Sequence, residues 1–72
     1  MHRHFEQALE ALKTDIIRMS SLAEEAIAHS LRALFERDSA LAQDVLTRDH
    51  QINAMEVTID HAVVDLLALQ QP

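Results

Sequence analysis

The chain has 72 residues, with no Gly, no Cys, one Pro and two Phe, and a formal net charge of −6. Without Gly and Cys, phosphate-binding loops, nucleophile elbows, disulfides, Cys-based zinc sites and thiol catalysis are excluded, and an all-α fold is favoured. The length corresponds to one domain at most, and the acidic balance disfavours nucleic acid as a partner, because phosphate contacts need a basic surface.

The first predicted element is an amphipathic helix over about residues 3–36. Small or apolar side chains recur at alternating steps of four and three residues, which is the spacing of one helical face. They are Phe5, Leu9, Leu12, Ile16, Met19, Ala23, Ala26, Ser30 and Leu34. Charged residues occupy the other face, where Glu10 and Lys13 form a favourable pair three residues apart.

A break is predicted near Arg37, Asp38 and Ser39, with Asp38 as the N-cap of a second helix. The supporting Glu or Gln three residues later is missing, since that position is Leu41. The apolar phase also continues from Leu34 to Leu41, so one unbroken helix is the alternative. We favour an antiparallel hairpin, because helices in globular proteins average about a dozen residues.

The second helix is predicted over about residues 39–70. Its apolar stripe consists of Leu41, Val45, Ile52, Met55, Ile59, Val63 and Leu66. Pro72 suits the first turn of a further helix that the chain does not contain. Because two helices cannot enclose both of their stripes, we expect an exposed apolar groove, covered by self-association or by a third helix.

Four oxygen-bearing side chains recur in the second helix at steps of four, three and four residues, and therefore share one stripe. They are Asp49, Asn53, Glu56 and Asp60. Carboxylates in this arrangement can share a cation, and iron, manganese and hard divalent ions accept such ligands. The alternative interpretation is an ordinary solvated acidic face.

The five His residues do not complete a known catalytic or metal pattern. Neither Glu-x-x-His nor His-Glu-x-x-His occurs, and His50 and His61 are at most supports for neighbouring carboxylates. A helical hairpin also offers no oxyanion site and no substrate cleft, so we do not expect an enzyme. No membrane span or signal segment is evident, and the expected location is the cytoplasm.

Several short stretches occur together in a specific order. They are His4-Phe5, Leu9 to Leu12, Met19, Ala-Glu-Glu-Ala-Ile at 23–27, Ala-Leu-Ala at 40–42, Asp-His-Gln-Ile-Asn at 49–53, Glu-Val-Thr-Ile-Asp at 56–60 and Leu66 to Pro72. This order resembles the first repeat of the PhoU family of bacterial phosphate-transport accessory and regulatory proteins.

The resemblance implies a repeat built as a three-helix bundle, with Glu/Asp-x-x-x-Asp motifs that bind metal ions. Glu56 and Asp60 match that motif, and Asp49 and Asn53 lie in the adjoining matched stretch. It also implies a regulator that lowers phosphate-starvation signalling. The implied partners are the ATPase of a phosphate ABC transporter and a sensor histidine kinase, and the implied cofactors are divalent or iron-type metal ions.

The chain departs from the family after Pro72, where a third helix and a second repeat would follow. We therefore interpret residues 1–72 as a single partial PhoU-like domain: a fragment, a shortened form or a short gene product. We expect the hairpin to be completed by homo-oligomerisation into a four-helix or larger bundle. The alternative function is a helical oligomerisation or interaction segment with no metal or phosphate role.

Overall fold

Two long helices make up the structure, a computed structural model that describes residues 2–70. Helix α1 spans His2–Glu36 and helix α2 spans Ser39–Gln70. The molecule measures 54 × 15 × 13 Å, whereas one helix over all these residues would be about 100 Å long at 1.5 Å per residue. The antiparallel hairpin is therefore confirmed, and the single continuous helix is excluded. The expected start of a further helix at Pro72 lies outside the described residues.

A two-residue turn joins the helices and satisfies the backbone groups that both helix ends expose. Arg37 has a φ of 52°, and the Asp38 amide donates to the Ala33 carbonyl at 3.0 Å, which is the Schellman ending of a helix. The Asp38 carboxylate then accepts from the Leu41 amide at 3.0 Å. The predicted N-cap at Asp38 is thus confirmed, and the same residue closes one helix and opens the next.

The buried cluster of the core lies away from the turn, and one further buried residue, Ala33, lies close to the turn. Leu12 of α1 meets Ile59 and Leu66 of α2, and all three side chains are buried. Partly buried neighbours pack around them: Phe5, Ala8, Leu9, Met19, Ala62 and Val63. Since all of these residues except Ala8 and Ala62 belong to the predicted stripes, the stripes explain which sides of α1 and α2 meet.

The stripe of α1 is wider than its contact with α2. Ile16 is 39% exposed and Leu34 is 74% exposed, although both belong to the predicted apolar face. A single neighbouring helix covers only a narrow strip of a cylinder, so apolar residues on either side of that strip stay in water. The exposed apolar groove expected from the sequence is therefore present.

The polar surface adds little to stability. The predicted Glu10–Lys13 pair forms at 3.3 Å, and Arg32–Glu36 and Asp44–Arg48 pair at 2.9 and 3.0 Å. All are exposed pairs within one helix, and such pairs contribute about 0.3–0.5 kcal/mol each. Within the described range 2–70, neither helix carries an apolar stretch long enough to cross a bilayer.

Replacing Asp38 with Ala tests the turn. Removing the carboxylate leaves the Leu41 amide without its acceptor, and we expect the free energy of unfolding to fall by about 1 kcal/mol. Asp44→Ala is the matched control, since it removes the same charge from an exposed pair; it should cost less than about 0.5 kcal/mol. Urea denaturation followed by circular dichroism gives both values, and equal losses would contradict the cap.

Shortening Ile59 tests the core. Ile59→Val removes one methylene group from a side chain that is 7% exposed, and should destabilise the hairpin by about 0.5–1.5 kcal/mol. Val57→Ala removes more atoms from a side chain that is 55% exposed, yet should change stability by no more than about 0.5 kcal/mol. The same denaturation experiment checks both, and a larger effect at Val57 would place the core elsewhere.

Candidate functional site

The four predicted metal-binding residues lie along one side of α2, here called the acidic flank. It consists of Asp49, Asn53, Glu56 and Asp60, and every member is exposed. At 100° per residue, these positions lie about 60–120° round the helix from the buried Ile59. They therefore lie on one stripe, next to the side of α2 that packs against α1 (the core strip), as their spacing predicts.

Little connects the members of the acidic flank to each other. The Asn53 side-chain amide donates to the Asp49 carboxylate at 3.5 Å, which is at the long limit for a hydrogen bond. Within the described part of the chain, no three His, Cys, Asp or Glu side chains come close enough to hold a metal ion. Glu56 and Asp60, one turn apart, can each offer a carboxylate oxygen, but a complete coordination sphere needs further ligands.

A shallow groove runs between the helices beside the acidic flank, and we call it the open groove. Its lining consists of Ala23, Ala26, Ile27, Ser30, Leu31, Val45, Asp49 and Ile52. Small side chains of α1 form its floor, and Ile27 and Leu31 stand beside them at 63% and 50% exposure. The sequence predicted an exposed apolar groove and placed Ala23, Ala26 and Ser30 on the apolar stripe, but it did not predict which residues line the groove.

The opposite side of the hairpin carries charged and polar side chains among apolar ones. A second groove there shares Ala26, Val45 and Ile52 with the open groove, and is otherwise lined by Leu22, Glu25, His29, Arg48 and Gln51. His29 lines this groove and is partly buried. His50 and His61 are exposed. The two sides of the hairpin therefore differ in chemistry.

The serines of α1 either bond to their own helix backbone or lie exposed on its surface. The Ser30 hydroxyl donates to the Ala26 carbonyl one turn earlier at 2.6 Å, a common arrangement for a serine inside a helix. Ser20 and Ser21 are exposed on α1. The most developed surface features are therefore an apolar groove and a line of carboxylates. Together they define a helical module suited to binding other molecules.

The comparisons with known proteins identify this module. The PhoU domain model matches residues 16–72, and the chain belongs to the PhoU family. The phosphate-specific transport system accessory protein PhoU of Serratia marcescens is 38% identical over 68 residues, which cover 94% of this chain and 28% of that protein.

Two further relatives show similar coverage. The PhoU protein of Escherichia coli K12 is 35% identical over 68 residues, covering 94% of this chain and 28% of the relative. The homolog of Pseudomonas putida is 40% identical over 70 residues, covering 97% and 27%. The chain thus spans little more than a quarter of the length of these curated relatives. No solved structure matches it significantly.

Proposed function

We propose that this chain is a phosphate-transport accessory module that acts by binding other proteins. The observation that carries the proposal is the alignment itself. Relatives named as phosphate-specific transport system accessory proteins match both helices and the turn between them at 35–40% identity. The aligned stretches cover 94–97% of the chain and therefore include most of both helices.

The partners proposed by family resemblance are the ATPase of a phosphate ABC transporter and a sensor histidine kinase. Through them the module would lower phosphate-starvation signalling, in the cytoplasm, when phosphate is plentiful. The surface supports contact with basic partner surfaces, because the chain carries a formal charge of −6 and every residue of the acidic flank is exposed. Charges at the rim of an interface mainly raise association rates and make binding depend on salt.

A metal role belongs to the same proposal. Glu56 and Asp60 would supply two carboxylates to a divalent or iron-type ion, with Asp49 and Asn53 one to two turns earlier on the same stripe. The chemistry of these donors fits a hard or borderline cation. Since these side chains are exposed and no third ligand lies close among the described residues, other ligands would complete the site. When bound, such an ion would neutralise the flank and bridge it to the group that supplies those ligands.

Partner binding tests the function. We expect the chain to bind the purified ATPase subunit or the cytoplasmic part of the kinase in biolayer interferometry, and to bind more weakly as sodium chloride is raised. Glu56→Gln with Asp60→Asn should weaken binding by slowing association. Glu6→Gln with Glu10→Gln is the control, since it removes two exposed carboxylates at the same spacing from α1.

Failure to bind either protein would contradict the proposal and favour the alternative, a helical oligomerisation or interaction segment with no phosphate role. The exposed apolar side chains favour that alternative. Binding that does not respond to salt would mean that the contact is purely apolar and that the acidic flank takes no part in it.

Isothermal titration with manganese, ferrous iron and zinc tests the metal role separately. If Glu56 and Asp60 are ligands, the variant lacking both carboxylates should bind at least about tenfold more weakly, because even supporting residues of metal sites have effects of this size. The Glu6 and Glu10 control should bind like the unchanged chain. Equal metal binding by the two variants would show that Glu56 and Asp60 are not specific metal ligands.

A further inference from the structure

The turn between the helices carries a residue type that its backbone does not favour. Arg37 has a φ of 52°, and its side chain is exposed. A left-handed residue at a helix end is usually Gly, because every other residue brings its Cβ close to a backbone carbonyl oxygen. The helix ending therefore explains the backbone angle at this position, but it does not explain why the side chain there is an arginine.

The other charged groups of the turn are already engaged. Arg32 and Glu36 pair at 2.9 Å, and the Asp38 carboxylate accepts from the Leu41 amide at 3.0 Å. Within residues 2–70, by contrast, Arg37 takes part in no ion pair. Its guanidinium donors can therefore bond to a group from outside the hairpin.

An exposed aromatic residue lies two positions before Arg37. Phe35 is 85% exposed, and at 100° per residue it lies about 160° round α1 from the buried Ala33 and about 140° from Ser30 of the open groove. A further helix seated in that groove would thus leave Phe35 uncovered. Aromatic residues and arginines are the types that contribute most to protein interfaces. We call Phe35 and Arg37 the turn tip.

We propose that the turn tip binds an acidic segment of a partner protein, with a carboxylate on Arg37 and a neighbouring apolar side chain on Phe35. A guanidinium suits a carboxylate, because it can donate two parallel hydrogen bonds to it. The chain has a formal charge of −6, so most of its surface repels an acidic segment and directs it to the turn tip. The proposal does not depend on a role in phosphate transport.

A nuclear magnetic resonance titration of the isotopically labelled 72-residue chain tests the proposal. The probe is a Glu-Leu-Asp-Leu-Glu peptide with blocked ends, and the matched probe, Gln-Leu-Asn-Leu-Gln, lacks its charges. The acidic peptide should shift the amide signals of residues 34–38 most. It should bind about three- to fivefold more tightly than the uncharged peptide, which is the gain expected of an exposed ion pair. Equal affinities, or shifts centred on the open groove, would overturn the proposal.

Arg37→Gly separates binding from folding. Gly accepts a positive φ without strain, so the midpoint of thermal unfolding should rise by about 2–5 °C, while the affinity for the acidic peptide falls to that of the uncharged one. Arg37→Lys keeps the charge and should retain most of the binding. Arg18→Gln removes an exposed arginine from the middle of α1 and should leave the affinity unchanged. Undiminished binding of the acidic peptide by Arg37→Gly would refute the assignment of Arg37.

Phe35→Ala tests the aromatic half of the turn tip. It should weaken both peptides about two- to threefold, because both lose the same apolar contact. Ile17→Ala is the matched control, since Ile17 is 70% exposed on the same face of α1 about five turns earlier; it should leave peptide binding unchanged. Equal effects of the two substitutions would contradict the proposed contact with Phe35.

Discussion

The structure depends on one geometric constraint: a helix can cover only one side of a single neighbour. Leu12, Ile59 and Leu66 are buried in this single contact between α1 and α2, and they hold together the parts of the helices that lie away from the turn. Partly buried neighbours such as Met19 and Val63 extend this contact, and the remaining large apolar side chains lie beside the contact strip or outside it. The open groove is a direct result of this arrangement, because the apolar stripe of α1 extends further round the helix than α2 can reach.

The same constraint explains how binding surfaces are distributed. The contact strip fixes the rotation of α2, and this rotation determines where the acidic flank lies, since Asp49, Glu56 and Asp60 are at set angles from Ile59. Asp49 consequently lines the apolar groove, and Glu56 and Asp60 continue along the same side of α2. An apolar surface and a negatively charged surface therefore lie side by side. One partner could contact both surfaces, or two partners could each bind one of them.

Much of this fold could be predicted from the sequence. The absence of Gly and the steps of three and four residues indicate two helices, and Asp38 marks the start of the second. Arg37 gave no signal, because its positive φ is adopted to complete the helix ending and Arg has no preference for it. The exposure of Ile16 and Leu34 could not be predicted from the sequence either, since periodicity identifies an apolar face but not how much of that face a neighbouring helix covers. The acidic flank could be placed on one stripe, whereas the distances between its oxygens depend on side-chain rotamers that the spacing does not determine.

The position of the buried cluster, away from the turn, also affects the internal motions of the hairpin. The buried cluster joins residues near the two helix ends, and the cap at Asp38 holds the opposite end. Between these two fixed points lies the stretch of α1 that contains Ala23, Ala26 and Ser30. These small side chains offer little contact area for packing against α2. Local opening should therefore begin in the middle of the rod, and backbone amides there should exchange with solvent sooner than those beside Leu12 or Ile59.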